Sequence, residues 1–334
     1  MKVLVTGATG FLGFHLASQL RARGDEVVAL CRKPSPELEA LGVTIARGDV
    51  LDEASVSNAA SGVTAVYHCA GKVSRDPKDA EALYELHVVG TGRVLDACKA
   101  QGVKRAVVAS TSGVVAVSEK PDYISTEDDE TPTHLIQRWP YYRSKLYAER
   151  AAFARNGDGF EVVCVNPTLL LGPGDTHGSS TEDVRLFLEG KVPMVPPGGL
   201  SFVDARDAAA GMILAMDKGK PGERYLLGAC NLTLREFFGR LERASGVRAP
   251  VVPIPRMPDL IKQGMTQVDG FLKRFGLAAP VDAESVDMAQ YFWYLDASKA
   301  EHELGWIPRE PNSTLADTVS DLRERGVVWP REAS

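Results

Sequence analysis

The chain has few residues suited to binding a metal ion or forming a disulfide. Its five cysteines lie far apart with no CxxC pair among them, and its six histidines are scattered. Zinc sites and disulfide frameworks bring such residues together at short, repeated spacings. We therefore expect reduced cysteines within apolar segments and no bound metal.

Long apolar runs and an excess of basic residues are also missing. No segment reaches the roughly 18 apolar residues that a membrane span requires. Met1 and Lys2 lead directly into a short apolar run, without the charged and then apolar pattern of a leader. Lysine and arginine total 38 against 44 aspartates and glutamates, a net charge of −6, whereas nucleic-acid binding needs a basic surface. The sequence predicts a cytoplasmic protein with no membrane span and no nucleic-acid partner.

Short β-branched runs alternate with helical patterns over the first half of the chain. Such alternation is typical of a parallel sheet joined by helices, and strands that are apolar along their whole length must be covered on both faces. The strands are predicted at 3–6, 26–31, 43–46, 65–69, 106–110 and 162–166, and the helices at 11–23 and 80–101. The predicted fold class is α/β, with a doubly wound parallel sheet of the Rossmann type.

Glycine and proline become frequent after Pro167, and the regular alternation ends there. A chain of 334 residues also exceeds the usual size of a single core. Later elements are predicted as a strand at 224–227 and helices at 234–245, 258–275 and 315–325. We predict a dinucleotide-binding Rossmann domain at 1–168, to which residues 200–230 return, and a smaller mixed substrate lobe formed mainly by 169–334.

Three glycines follow the first predicted strand and open the first helix. Gly7, Gly10 and Gly13 form a GxxGxxG pattern. The first glycine permits a tight turn, the second lets the backbone approach a pyrophosphate, and the third lets helix and strand pack closely. A simple strand-to-helix turn is the alternative, but such a turn needs one glycine rather than three. The pattern predicts a dinucleotide site.

Two cations stand at the end of the second strand, where an NAD enzyme places an acidic residue for the ribose 2′-hydroxyl. These are Arg32 and Lys33. A 2′-phosphate would be bound there, by a planar guanidinium and by a point charge. The alternative is that both are ordinary surface residues. NADP(H) is therefore favoured, and NAD(H) stays possible.

A YxxxK pattern places a phenol and an ammonium group four residues apart. Tyr141 and Lys145 would share one face of a helix. The bare pattern is weak, but here it follows the fifth strand, near the sheet edge where ligands of such folds bind. A free phenol has a pKa near 10, and a neighbouring ammonium is expected to lower it. Ser112, just beyond the fifth strand, is predicted to donate a hydrogen bond to the reacting oxygen, with Ser110 or Thr111 as alternatives.

Several blocks together resemble the extended short-chain dehydrogenases/reductases, the NAD-dependent epimerase/dehydratase superfamily, over nearly the whole chain. The blocks are VTGATGFLG at 5–13, GDV at 48–50, YYRSKLYAE at 141–149, NPTLLLGPGD at 166–175 and LDASKAEHELGW at 295–306. Residues 127–149 and the Arg32 position look most like the dihydroflavonol 4-reductase-like branch. Relatives in this family are often homodimers, so a homodimer is a possible assembly.

The resemblance also implies roles for individual residues. It implies Ser112, Tyr141 and Lys145 as the catalytic triad, with the spacing to Lys145 selecting Tyr141 over its neighbour Tyr142. It implies further cofactor contacts in the first turn, at the adenine, after the fourth strand and beside the nicotinamide: Thr9, Phe11 and Leu12; Asp49 and Val50; Ala70 and Gly71; and Pro167.

Two features depart from the pattern of the family. His87 stands where relatives commonly carry an asparagine that helps relay protons, and it either replaces that asparagine or only packs. Ser112 is followed by Gly113 and an apolar run rather than by the sequences typical of dehydratases or epimerases. Neither sugar signature is present.

These observations favour a reductase that transfers a hydride from NADP(H) to the carbonyl of a hydrophobic small molecule, or the reverse reaction on its alcohol. Tyr141 would act as general acid. The residues predicted to contact the substrate are His87, Val114, Leu169 and Phe202. The alternatives are a nucleotide-sugar epimerase with tightly bound NAD and a non-catalytic protein that senses NADP(H).

Overall fold

The computed structural model describes residues 1–254, 256 and 283–329, and a seven-stranded sheet forms its centre. The chain runs through the strands and helices in the order β1 (Lys2–Thr6), α1 (Phe11–Ala22), β2 (Glu26–Cys31), α2 (Pro36–Ala40), β3 (Thr44–Arg47), α3 (Glu53–Ala59), β4 (Ala65–His68), α4 (Ala80–Tyr84), α5 (Gly90–Ala100), β5 (Arg105–Ala109), α6 (Thr133–Ile136), α7 (Pro140–Phe153), β6 (Glu161–Pro167), β7 (Leu169–Leu171), α8 (Glu182–Leu188), β8 (Gly199–Asp204), α9 (Ala205–Lys218), β9 (Arg224–Leu227), β10 (Cys230–Thr233), α10 (Leu234–Ser245), α11 (Ala283–Met288) and α12 (Pro311–Glu324).

The main sheet has the strand order β3-β2-β1-β4-β5-β6-β9, and every pairing in it is parallel. The strand order therefore reverses between β1 and β4. In such a sheet the crevice for ligands opens at the carboxyl ends of the strands beside this reversal. The fold is the predicted doubly wound Rossmann type.

Helices cover the sheet on both faces because its strands are apolar on both. On one face α1 and α9 pack together, and residues such as Leu16 and Met212 join the strand residues in one core. On the other face α3, α5 and α7 enclose a second core around Val56, Leu95 and Ala152.

A small second sheet begins the lobe beside the main sheet. In it β8 pairs in parallel with β7 and antiparallel with β10. The lobe has its own core, the third of the structure, which includes side chains of α8, α10 and α12. In it Phe187 stacks on Phe238 at 5.6 Å between ring centroids. Between β8 and β10 the chain returns to the main sheet as α9 and β9. The second sheet is mixed and the main sheet parallel.

The observed elements differ from the predicted ones in one informative place. The helical pattern at 80–101 is α4, a π-helical turn (Glu85–Val89) and α5 in direct succession. Periodicity predicts a helix but does not reveal the extra residue that a π-turn inserts. The helix predicted at 258–275 lies outside the described residues.

Candidate active site

A cavity of about 410 Å³ opens at the carboxyl ends of β1, β4, β5 and β6 and continues between the main sheet and the small lobe. Its sheet side is lined by residues that directly follow or end these strands: Gly7, Cys69, Ser110 and Pro167. Its lobe side is lined largely by apolar side chains, including Leu170, Leu186, Val192, Leu200, Phe237, Phe238 and Met288.

The glycine turn forms one wall of this cavity. Gly7 adopts φ +72°, and a Cβ there would lie 2.6 Å from the backbone nitrogen of Ala70. A Cβ at residue 13 would lie 2.2 Å from the carbonyl oxygen of Gly7, so α1 packs on the turn only because residue 13 is glycine. Gly10, Phe11 and Leu12 line the cavity at the start of α1. The first-turn N–H groups of a helix have no partner within the helix, and they carry positive potential.

The residues predicted to contact the adenine end lie along the same sheet edge. Arg32 and Lys33 follow β2 and are exposed. Arg47, which sequence reasoning missed, ends β3 opposite Cys31 and is also exposed, so it adds a third cation near this edge. The Asp49 carboxylate accepts the Leu51 N–H at 2.9 Å.

The other predicted cofactor residues differ in exposure. Thr9 is exposed and Val50 is buried in the second core. Ala70 is half-buried and donates its N–H to the Thr6 hydroxyl at 3.4 Å, and Gly71 lines the cavity.

Tyr141 and Lys145 lie in the first turns of α7 and both line the cavity. Pro140 at the first helical position fixes the start of the helix, and the four-residue spacing puts both side chains on one face. The Lys145 Nζ donates to the carbonyl oxygen of Ala109 at 2.6 Å, at the end of β5. This bond ties the ammonium group to the edge of the sheet.

Among the hydroxyl groups after β5, that of Thr111 is the one that acts to lower the pKa of Tyr141. Thr111 also accepts the Gly113 N–H at 3.4 Å. The sequence analysis put Ser112 first in this role and kept Thr111 as an alternative. Ser112 and Thr111 both line the cavity, and Ser112 lies within a short 3₁₀ turn (Ser112–Val114).

The electrostatics of Tyr141 differ from the expectation of a phenol made acidic by an ammonium. Burial raises the pKa of Tyr141 above its ordinary value, and Tyr142 adds to the rise, while Thr111 opposes it. Burial also lowers the pKa of Lys145. The phenol is therefore protonated at neutral pH in this state, which is the form that can donate a proton.

A buried polar network fixes the backbone that carries Thr111. The Asn166 Nδ2 donates to the Thr111 carbonyl at 3.1 Å and to the Glu149 carboxylate at 2.6 Å. Glu149 in turn pairs with Arg224 of β9 at 2.9 Å. Asn166 and Glu149 are almost fully buried. The network links α7, which carries Tyr141, to the turn after β5.

His87 lies in the π-helical turn and is 1% exposed. Its Nε2 accepts the backbone N–H of Lys72 at 3.0 Å, and its Nδ1 lies 2.8 Å from the Ser144 hydroxyl. Its ring meets the ring of Tyr141 edge to face, with centroids 5.8 Å apart. It lines the cavity as well.

An aromatic cluster that sequence reasoning missed forms the wall opposite the glycine turn. Trp293 stacks on Tyr142 at 4.8 Å between centroids, and Trp139 packs against both. A Cβ at residue 113 would lie 2.2 Å from the Tyr142 ring, so Gly113 lets this wall approach the turn that carries Thr111. Sequence position gave one hint only, since Trp139 directly precedes the YxxxK helix.

An ion pair crosses from the sheet side of the cavity to the lobe. Arg75, in the loop after β4, donates to both carboxylate oxygens of Asp183, at 3.1 and 2.9 Å, and to the Ser285 hydroxyl at 2.7 Å. All three residues line the cavity. Lys72, in the same loop, pairs with Asp79 at 2.6 Å.

The predicted substrate residues are not all placed together. His87 and Leu169 line the cavity. Val114 and Phe202 are fully buried and do not line it, because Val114 packs into the first core and Phe202 into the core of the lobe. We therefore replace them in the proposed substrate site by Tyr142 and Trp293.

Among the described residues, no cluster of three or more histidines, cysteines or acids could hold a metal ion. The five cysteines are unpaired. The described part of the chain also contains no helix with the length and apolar character needed to cross a bilayer.

A doubly wound sheet with a glycine turn at β1 and a tyrosine and lysine one helical turn apart beside it defines a short-chain dehydrogenase/reductase. Residues 3–228 match the model of the NAD dependent epimerase/dehydratase family. The chain belongs to this family of extended short-chain dehydrogenases/reductases.

Known relatives cover nearly all of the chain. It is 34% identical to sterol demethylase protein B of Methylococcus capsulatus, over 98% of this chain and 100% of that protein. It is 33% identical, over 97% of this chain and 95% of that protein, to a Synechocystis sp. protein that bears the name of a dihydroflavonol 4-reductase. The crystal structure of gox2253 superposes with a TM-score of 0.83 at 26% identity, covering 98% of this chain and 99% of that one.

Proposed function

We propose that the protein is an NADP(H)-dependent reductase that converts a ketone or aldehyde of a hydrophobic small molecule into the alcohol, or runs the reverse reaction. One observation carries the proposal: the protonated Tyr141 phenol lies in the same cavity as Thr111, the glycine turn and an apolar, aromatic wall. Such a site combines a proton donor, a dinucleotide-binding site and a pocket for an apolar substrate.

The residues present fit a dinucleotide. Gly7 and Gly13 leave no room for a Cβ, so the backbone at the start of α1 comes close to the cavity. The Ser110 hydroxyl lines the cavity and is buried without a hydrogen-bond partner in the described part of the chain, so it is available to a bound ligand. Gly7, Gly10, Phe11, Leu12 and Gly13 would hold the pyrophosphate at the helix N-terminus. When bound, the reduced nicotinamide supplies the hydride.

The protein's own residues handle the proton and the carbonyl oxygen. Tyr141 donates its phenolic proton to the developing alkoxide, and Thr111 donates a hydrogen bond that stabilises the phenolate left behind. Lys145, held at the Ala109 carbonyl, supplies positive charge on the same helix face. Ser112 and Ser110 are the remaining hydroxyls near the reacting oxygen.

Three cations support NADP(H) over NAD(H). Arg32 and Lys33 follow β2 and Arg47 ends the adjacent β3, where the 2′-position of the adenine ribose lies in this fold. A 2′-phosphate favours such cations, whereas an unmodified ribose is usually bound by an acidic residue.

The substrate class follows from the shape and polarity of the lobe side. Trp139, Tyr142 and Trp293 offer flat aromatic surfaces, and leucine, valine and phenylalanine side chains complete the wall. Both relatives named above carry names of fused-ring compounds, a sterol and a dihydroflavonol. We propose an alicyclic or aromatic ketone with fused rings.

A nucleotide-sugar epimerase is the competing function. A sugar diphosphate would need cations free to bind it on the lobe side. The cations of the loop after β4 that face the lobe side are engaged, since Arg75 is paired with Asp183, and Lys72 with Asp79. The apolar wall favours the reductase.

The test is a panel of carbonyl compounds with NADPH and NADH in parallel, followed by nicotinamide absorbance. The panel contains cyclohexanone, 2-decalone, 2-tetralone and a 3-ketosteroid. We expect reduction of the fused-ring ketones with NADPH preferred. Protein that purifies with NAD(H) bound and interconverts a nucleotide sugar without added cofactor would establish the epimerase instead. Tight NADPH binding without reduction of any carbonyl would favour a sensor.

A further inference from the structure

Both ring nitrogens of His87 are engaged, and the identity of the partners fixes the tautomer. A backbone N–H can only donate, so Nε2, which receives the Lys72 N–H at 3.0 Å, carries no proton. The neutral ring then carries its proton on Nδ1 and donates it to the Ser144 hydroxyl at 2.8 Å. The Ser144 hydroxyl donates a hydrogen bond to the backbone carbonyl of Tyr141 at 2.7 Å. The bonds form one continuous chain from residue 72 to residue 141.

This series of hydrogen bonds joins two walls of the cavity that lie far apart in the sequence. Lys72 lies in the loop after β4, between Gly71 and Arg75, and this loop also carries the ion pair to Asp183. Tyr141 and Ser144 lie in the first two turns of α7. A Cβ at residue 71 would lie 3.2 Å from the His87 Nε2, so the imidazole also fills the space beneath the loop.

We propose that His87 is a positioning residue: it sets the spacing between the cavity loop at Lys72 and the proton donor Tyr141, and it relays no proton during the reaction. The inference concerns the site of the proposed reductase, and part of its test does not depend on that function. A proton relay needs a ring that can gain one proton and lose another. Here the ring would have to break its bond to Lys72 or to Ser144 to do so.

The groups around the ring keep it neutral. Lys145 and Ser144 face it from α7, His68 from β4 and Lys72 from the loop. Burial, then Lys145 and His68, lower the pKa of His87 to about 3, and only the bond from Lys72 opposes this.

The first experiment is ¹⁵N NMR of the histidine rings of the full-length protein between pH 5 and pH 8, with His87 assigned by its loss in His87→Asn. We expect a neutral ring protonated at Nδ1 across this range, with and without NADPH. A ring that titrates in this range, or one protonated at Nε2, would overturn the proposal. This result does not depend on any catalytic activity.

The second experiment uses two variants that each keep one bond. Asn places an amide near the position of Nδ1, so His87→Asn retains a donor to Ser144 and loses the acceptor for Lys72. Gln reaches the position of Nε2, so His87→Gln retains the acceptor for Lys72 and loses the donor to Ser144. His68→Gln is the matched control, because His68 is equally buried and bonded to Thr6 and Thr91 but does not line the cavity.

Initial rates of 2-decalone reduction by NADPH, per mole of folded protein, separate the roles. We expect His87→Gln to lower kcat by about 10 to 100-fold, since a misplaced donor costs this much. His87→Asn should chiefly raise KM, and neither should remove a limb of the pH profile. A pH limb lost in both variants, or equal losses of kcat in both and in His68→Gln, would overturn the positioning role. Should 2-decalone not be reduced at all, the proposed function fails, and the NMR result still decides the state of His87.

Discussion

At the scale of single residues, Tyr141 and Lys145 do different work within one helical turn. The phenol is kept protonated by burial, and the ammonium is held by a main-chain carbonyl at 2.6 Å rather than by the phenol. Thr111 is the group expected to lower the cost of phenolate formation, because it opposes the rise in the pKa of Tyr141. The proton donor is thus prepared by its neighbours for the direction of carbonyl reduction.

Replacing Tyr141 by Phe should lower kcat for the ketone reduction by about 10² to 10⁴-fold, since it removes the general acid and leaves the ring in place. The matched control is Tyr142→Phe, at a phenol of the same cavity that stacks on Trp293 instead. Initial rates with NADPH measure both. Equal rates for the wild type and Tyr141→Phe would end the catalytic assignment.

Replacing Arg32 by Ala should raise the Kd for NADPH by about 10 to 100-fold, because a charge-assisted hydrogen bond to the 2′-phosphate is worth about 1.5 to 3 kcal/mol. The Kd for NADH should change little. Arg235→Ala removes another exposed arginine, on α10, and serves as the control. Fluorescence titration with each cofactor measures the effect, and an equal loss for NADPH and NADH would contradict a 2′-phosphate contact.

The two buried histidines His68 and His87 are expected to make the folded protein less stable in mild acid. Burial lowers the pKa of each to about 3 from an ordinary 6.5. Between these values the unfolded chain binds a proton that the folded chain does not, so the free energy of unfolding falls as the pH drops below about 6.5.

As the pH falls from 7 to 5, each of these histidines should lower the free energy of unfolding by about 2 kcal/mol. Urea unfolding at the two pH values tests this, with His68→Gln expected to reduce the acid sensitivity by about that amount. His134→Gln, at an exposed histidine, is the control. An unchanged pH dependence in His68→Gln would show that His68 is not buried in the neutral form.

Sequence reasoning identified the residues that short spacings define and missed those that the fold brings together. The glycine turn and the YxxxK pair are local, so their placement in one cavity could be predicted from the strands around them. The hydroxyl that acts on the phenol could not be predicted, because a shift of one residue after β5 decides between Ser110, Thr111 and Ser112. Trp293 lies some 150 residues from Tyr142 in the chain and reaches it only through the lobe.

At the scale of elements, three of them are tied together by the buried carboxylate of Glu149. It lies on α7, accepts from Asn166 of β6, and pairs with Arg224 of β9. Asn166 then holds the backbone of the turn after β5. The relative position of Tyr141 and Thr111 therefore depends on contacts outside the cavity.

Replacing Arg224 by Gln should lower the free energy of unfolding by about 3 kcal/mol, because it leaves the buried Glu149 carboxylate without its charge partner. Glu149→Gln alone should cost less, since the arginine that it leaves behind is partly exposed to water. The double variant should be more stable than Arg224→Gln, which urea unfolding would show. A double variant that is as unstable as the sum of the singles would mean that the two side chains do not interact.

Regular elements were predictable because their patterns are local, whereas interruptions of them were not. Strand β2 and helix α10 begin and end at the predicted residues 26–31 and 234–245. The π-turn at Glu85–Val89 inserts an extra residue into the helix, and it carries His87, which bonds both Lys72 and Ser144. That requirement is tertiary and leaves no periodic signal.

At the scale of the whole molecule, the cavity lies between the main sheet with its helices and the small lobe. The main sheet supplies the glycine turn and the proton donor, and the lobe supplies the apolar wall. Arg75 and Asp183 connect the two across the cavity. The alternation of strands and helices predicted the main sheet. The lobe is built from short strands separated by glycine and proline, so its shape could not be predicted.

Binding of a dinucleotide should stabilise the whole chain. At a free concentration of 100 times its Kd, NADPH should raise the free energy of unfolding by about 2.7 kcal/mol. NADH at the same concentration should raise it less, because it lacks the 2′-phosphate. Thermal unfolding with each cofactor measures this, with adenosine alone as the control. No shift with either cofactor would contradict the dinucleotide site.

The most direct test of the central claim is the transfer of deuterium from NADPH labelled at C4 of the nicotinamide, once on each face, to 2-decalone or another ketone that the panel finds to be reduced. Mass spectrometry of the alcohol should find deuterium on the carbinol carbon with one of the two labelled cofactors and not with the other, and Tyr141→Phe should slow the formation of this product by about 10² to 10⁴-fold. Alcohol formed without deuterium from either cofactor, or at an undiminished rate by Tyr141→Phe, would contradict hydride transfer with Tyr141 as the proton donor.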